Sequence, residues 1–508
     1  MDDDLLCFLR AFLTELVGRY FHLQQFVELT RRGARDGTPN LLIRYGELLQ
    51  KKTRLLLGFS ETISDLPKDA ITARELEGPF RTLLNESREF QSLHKALKWF
   101  PTPWPGSELF QFLTQLGRER GVAFKFDTLN PTAVLSDEYN FLTSDVNQEL
   151  PVSDSRSNLV VWALPKGEST NPLLWPVLTH EVAHSFYGRR ELEPTIAGLL
   201  SVNDNRYKEV LISWAIELNA DLLAFRLLGP AYLYSLMYFS IFFITSNLRT
   251  PVRPERADLS VGLHPAPETR IRLLSTEADS LKERLKNKDR KKEEYSPQLK
   301  RVWKALDQFT KLYEARLRLD HTAQPFNQDD YDGFPNQVVD KVWDAIRTFQ
   351  HNDLPDVDIT VKELETSVDL ADRLARRQLA ASVVPNPQGI SCVKEFVESV
   401  ENSGRDEVLD RLDERRPSRD EVLDGLDERP ASMAEILNGG WQYKTRILHG
   451  SPLFKVKPTE LKNGQTLESY SKDNFLEQSR QLQKSIQTAI ILASISRFAD
   501  TPAGIKYA

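Results

Sequence analysis

The sequence predicts a mainly α-helical protein of the α+β kind, in which a central unit with a small sheet is flanked by helical N- and C-terminal regions. Three observations predict it. Apolar residues recur at helical spacing from residue 1 to about 98 and again beyond 275. Short runs rich in β-branched and aromatic residues are confined to the middle of the chain. Next to them lies His180-Glu181-Val182-Ala183-His184, an HExxH pattern in a segment punctuated as a helix.

The N-terminal region, 1–105, carries the helical pattern in Leu5, Leu6, Leu9, Phe12, Leu13, Leu16 and Val17. Trp99-Phe100-Pro101-Thr102-Pro103-Trp104-Pro105-Gly106 breaks it and marks a boundary. In the central unit, 106–275, Val122 to Phe126 and Asn158 to Leu164 read as strands. Pro176 suits a helix start and Gly188 a left-handed cap, which frames the motif helix at about three turns. A charged helical region follows over 276–402. Its mixed-sign run from Lys282 to Glu294 reads as a solvated face, and Val361 to Ala381 as an amphipathic helix. Within 403–430, Arg405-Asp406-Glu407-Val408-Leu409-Asp410 recurs 14 residues on at Arg419, a tandem repeat too short for a solenoid. The last region, 431–508, includes an amphipathic helix from Tyr470 to Phe498.

Composition narrows the class. With 508 residues the chain exceeds a single small core, and 40% hydrophobic with 27% charged residues is ordinary for a soluble globular protein. A net charge of −7 gives no electrostatic reason to expect nucleic acid. Cys7 and Cys392 cannot build a disulfide framework, and Met1-Asp2-Asp3-Asp4 is acidic where a secretory signal is basic. The expected compartment is the cytoplasm. Between Arg226 and Arg249 no residue is charged, which raises a membrane span. Gly229-Pro230 shortens that run, and Tyr232, Tyr234, Ser235, Tyr238 and Ser240 stud it, so a buried helix is expected instead.

The HExxH pattern arises by accident in roughly one chain of this size in a hundred. Residues four apart share a helix face, so His180 and His184 can reach one ion while Glu181 reaches a water beside it. A catalytic zinc needs a third protein ligand. The segment Arg206 to Leu228 supplies Glu217 and Asp221. At about 100° per residue, Trp214, Leu218, Phe225 and Leu228 form an apolar stripe. Asp221 falls inside that stripe and Glu217 at its edge, with Lys208, Asn219 and Arg226 on the other side. Buried carboxylates are costly unless compensated. Glu217 as a metal ligand and Asp221 as acceptor from a ligating histidine would compensate both. A buried ion pair of these carboxylates with an arginine is the competing reading.

This combination resembles the gluzincin metallopeptidases, whose HExxH is followed by a glutamate ligand in an E-x-x-x-D helix. His264-Pro265-Ala266-Pro267-Glu268-Thr269-Arg270-Ile271 is similar to the HP-x-x-x-x-R-I element of HtpX-like and CAAX-prenyl-type peptidases. The likeness covers about residues 158 to 275 and lacks those families' transmembrane hairpins. The ligand helix also resembles soluble regulatory peptidases of the ImmA type. The resemblance implies a zincin-like domain, Zn2+ held by His180, His184 and Glu217, and Glu181 as general base. It makes His264 and Arg270, or Tyr187, candidate stabilisers of the oxyanion. It also implies a strand before the motif helix, here Asn158 to Leu164, that pairs with an extended protein or peptide substrate. Two other readings remain open: a helical interaction protein with a structural or vestigial zinc site, and a membrane-associated peptidase.

Overall fold

The computed structural model describes residues 3–33, 39–64, 72–95, 107–122, 132–136, 142–145, 160–165, 168, 171–184, 189–197, 205–250, 264–288, 296–323, 336–354, 357–375, 431–450 and short pieces between 482 and 490. These residues are mostly helical, with one three-stranded sheet. Helices α1 (Asp3–Gly33), α2 (Pro39–Ser64), α3 (Ala73–Lys95) and α4 (Ser107–Glu119) come first, as the apolar spacing predicts. Leu5, Leu9, Phe12, Leu16 and their partners in the pattern are buried. The start of α3 is set by a reciprocal capping box. The Thr72 backbone N–H donates to Glu75 Oε2 at 2.7 Å, and the Glu75 N–H to Thr72 Oγ1 at 3.4 Å.

The sheet comprises β1 (Thr132–Ser136), β2 (Leu142–Asp145) and β3 (Val160–Pro165). Its order is β1-β3-β2, with β1 parallel and β2 antiparallel to β3. The strand expected at Asn158 to Leu164 exists as β3, but both its edges are taken. The expectation that it pairs with a substrate is therefore corrected, because its hydrogen-bonding groups are already committed to neighbours. Val122 closes a turn after α4, and 123–126 lie outside the described residues.

A 3-10 turn, Pro172–Leu174, leads into the motif helix α5 (Trp175–Ala183). Pro176 occupies its first turn, where a missing N–H costs nothing. The helix is shorter than the expected three turns: His184 is its C-cap, and Gly188 lies outside the described residues. After α6 (Arg189–Ala197) comes α7 (Asn205–Leu228), which packs against α5.

Trp214, Leu218, Phe225 and Leu228 are buried as expected, but from Glu217 to Leu228 the side opposite them is buried as well. Asn219 and Arg226 are only 1% and 5% exposed. They meet α11 (Asn336–Asp353) and the turn after it. Gln350 Nε2 donates to the Asn219 carbonyl at 2.7 Å. Arg226 donates to the Gln350 carbonyl at 2.9 Å and pairs with Asp358 at 2.7 Å. The guanidinium thus caps the carbonyl end of α11, which satisfies groups a helix leaves open there.

Gly229, at φ 62°, turns the chain into α8 (Pro230–Phe242). An added Cβ would approach Ile359 Cγ2 to 2.9 Å, so conformation and space both demand glycine. Gly229→Ala should destabilise the fold by about 1–3 kcal/mol. Chemical denaturation would check this; an unchanged midpoint would refute the argument. Helix α8 is the buried helix that the uncharged run predicts. Among the described residues, no helix is long and apolar enough to cross a membrane.

Helices α9 (Pro267–Lys288), α10 (Pro297–Ala323), α11 and α13 (Met433–Gly450) pack on α7 or α8, and α12 (Val361–Ala375) packs on α10 and α13. Trp441 of α13 stacks on Tyr234 at 5.8 Å and donates from Nε1 to Ser235 Oγ at 3.0 Å. Ser235 donates in turn to the Leu173 carbonyl just before the motif helix. Arg316 of α10 donates to the Ile241 and Ile244 carbonyls, capping α8. One hydrophobic core runs through α1, α5, α7, α8, α10 and α13. Helix α9 spans residue 275. The repeat at 403–430 lies outside the described residues.

Candidate metal centre

Helix α5 sets His180 and His184 one turn apart, with ring centroids separated by 4.7 Å and Nε2 atoms by 3.1 Å. Helix α7 crosses them and delivers Glu217. Its Oε2 lies 3.3 Å from His180 Nε2, and its Oε1 3.6 Å from His184 Nε2. One atom from each of the three residues lies within 4.8 Å of the others, so the group could hold a metal ion. Two imidazole nitrogens and a carboxylate oxygen suit zinc, and three protein ligands leave a position open. His180 and Glu217 are buried, while the His184 side chain keeps 22% exposure toward solvent.

Behind His180 stands a second layer. Asp221, one turn along α7 and fully buried, places Oδ1 2.8 Å from His180 Nδ1. Arg270, on α9, grips the same carboxylate with both prongs, Nε to Oδ2 at 2.7 Å and Nη2 to Oδ1 at 2.6 Å. The Tyr232 hydroxyl, from α8, also donates to Asp221 Oδ1. The two competing readings of Asp221 are thus realised together. It meets a motif histidine and pairs with an arginine, and that arginine reaches within 3.4 Å of His180 Nδ1.

The charges are set by burial and by these contacts. Burial would raise the Asp221 carboxyl, but Arg270 and His180 outweigh it and hold it ionised. Burial works against Glu217 in the same way, yet hydrogen bonds from His180 and His264 keep it well below its usual range. Burial would lower His180, but Asp221 and Glu217 prevail and raise it to about 9. His184, buried beside His180, is lowered to about 4 and stays neutral. The group therefore offers an ionised carboxylate and a neutral imidazole, and a metal would displace the proton from His180.

The remaining candidates divide. His264 places Nδ1 3.2 Å from Glu217 Oε2, with its side chain 47% exposed, so it stands at the rim of the group. Arg270 does not. Expected at the open metal position, it lies on the Nδ1 side of His180 because a fully buried Asp221 holds its guanidinium from two directions. Glu181 is half-buried on α5. Tyr187 lies outside the described residues. Sequence reasoning missed Tyr232 as a site residue. Its signal was a phenol in an uncharged helix expected to be buried, where its O–H needs a partner, a signal that Tyr234 and Tyr238 share. No protein-family model, curated protein or solved structure matches the chain.

Proposed function

We propose that the chain is a zinc-dependent peptidase that hydrolyses peptide bonds of an intracellular protein substrate, working in the cytoplasm. The observation that carries this reading is Glu217, brought from a separate helix to hydrogen-bond distance of His180 and 3.6 Å from His184. That is the third donor an HExxH pair needs, and it agrees with the gluzincin resemblance. Bound zinc supplies a water of lowered pKa and polarises the scissile carbonyl.

The chain's own residues do the rest. Glu181, between the two histidines on α5, takes the water proton and passes it to the leaving amine. His264, half-exposed beside Glu217, supplies an N–H to the developing oxyanion. Arg270 acts from behind through Asp221 and His180. An extended substrate would add to an outer edge of the sheet. β2 is the better candidate, being antiparallel to β3 and packed on α5.

The test is cleavage of an unfolded polypeptide mixture, with new N-termini read by mass spectrometry. Cleavage that a zinc chelator abolishes and added zinc restores is expected. Cleavage that persists in chelator, or none in the zinc-loaded protein, would overturn the proposal.

A further inference from the structure

Asp221 Oδ1 is crowded. His180 Nδ1, the Tyr232 hydroxyl and Arg270 Nη2 all lie within hydrogen-bond distance of it, while Oδ2 is held by Arg270 Nε. Tyr232 itself lies 3.3 Å from His180 Nδ1. It reaches this place because Gly229 and Pro230 turn the chain into α8, which packs against α7. A carboxylate oxygen only accepts, so the Tyr232 hydroxyl is the donor in this contact.

We propose that Tyr232 is a positioning residue of the metal centre. Its hydroxyl shares Asp221 with Arg270 and fixes that carboxylate against His180 Nδ1–H, leaving the Nε2 lone pair aimed at the ion. The proposal rests on the metal-site reading above. The Arg270 fork ties both Asp221 oxygens from α9, and the Tyr232 hydroxyl adds a donor from α8 on a second side of Oδ1. Donors from two helices fix the angle at which the carboxylate meets the His180 ring. Outer-sphere partners of this kind typically change metal affinity by roughly 10–100-fold.

The test is a double-mutant cycle on full-length protein, with zinc affinity read by chelator competition and geometry by the visible spectrum of the cobalt-substituted protein. Tyr232→Phe removes only the hydroxyl and keeps the ring that packs the core. It should weaken zinc binding by about 10–100-fold and alter the cobalt spectrum, with the protein fully folded at the assay temperature. In an Asp221→Asn background the same substitution should change affinity by no more than about twofold, because the residue through which Tyr232 acts is already altered. Arg270→Lys, which keeps the charge but loses the two-pronged grip, should give a loss of the same kind as Tyr232→Phe.

Affinity of Tyr232→Phe within twofold of wild type would overturn the proposal, as would an equal loss in both backgrounds. Wild-type protein that takes up neither zinc nor cobalt would instead defeat the metal-site reading itself.

Discussion

Glu217→Ala is expected to abolish stable zinc binding, a larger loss than the roughly 10–100-fold of an outer-sphere change. Glu217 is the only one of the three proposed donors that comes from α7, and its two oxygens face both histidines. Alanine removes a charge as well as a ligand. His180 then keeps Asp221 behind it but loses its partner in front, and His264 loses the carboxylate beside it. The effect is visible without any assay of turnover. A ligand present at about a thousand times its Kd stabilises a fold by about 4 kcal/mol. Zinc should therefore raise the melting temperature of wild type and leave that of Glu217→Ala unmoved. Equal zinc-induced shifts in the two proteins would remove Glu217 from the centre.

Glu181→Gln should have the opposite profile. The amide keeps the shape and the helix but cannot accept a proton from water. Zinc content and the zinc-induced thermal shift should match wild type, while peptide hydrolysis falls by about 10²–10⁴-fold. This pairing separates a working peptidase from a metal used only to brace the helices, since a bracing metal leaves no turnover to lose. Wild-type activity in Glu181→Gln would sink the general-base role. Loss of zinc along with activity would show that Glu181 supports the ion instead.

The centre was legible in the sequence to the extent that helix geometry is local. Four-residue spacing alone puts His180 with His184 and Glu217 with Asp221, and two acids on an apolar stripe demand compensation. The crossing of α5 and α7 brings His180, His184 and Glu217 together with one atom of each within 4.8 Å of the others, so that they could hold a metal ion. Arg270 was legible as a neighbour of the site but not as to side. Spacing cannot say whether a guanidinium meets the open face of a histidine or the carboxylate behind it, and the charge of the fully buried Asp221 decided the matter.

The apolar stripe on α7 misled in another way. Amphipathic reasoning assumes one wet face, whereas α7 is enclosed on all sides from Glu217 to Leu228, and its polar residues Asn219 and Arg226 serve another helix's end. Similarly, the composition of Val160 to Leu164 identifies a strand but not its rank. The partners on both edges, Thr132–Ser136 and Leu142–Asp145, carry weaker strand signals of their own.

The most direct test of the account is metal analysis of wild-type protein purified without exposure to chelator. The account expects close to one zinc per chain, reduced to background in His180→Ala and His184→Ala. A folded protein with no transition metal, or an equivalent of zinc that survives both substitutions, would contradict it.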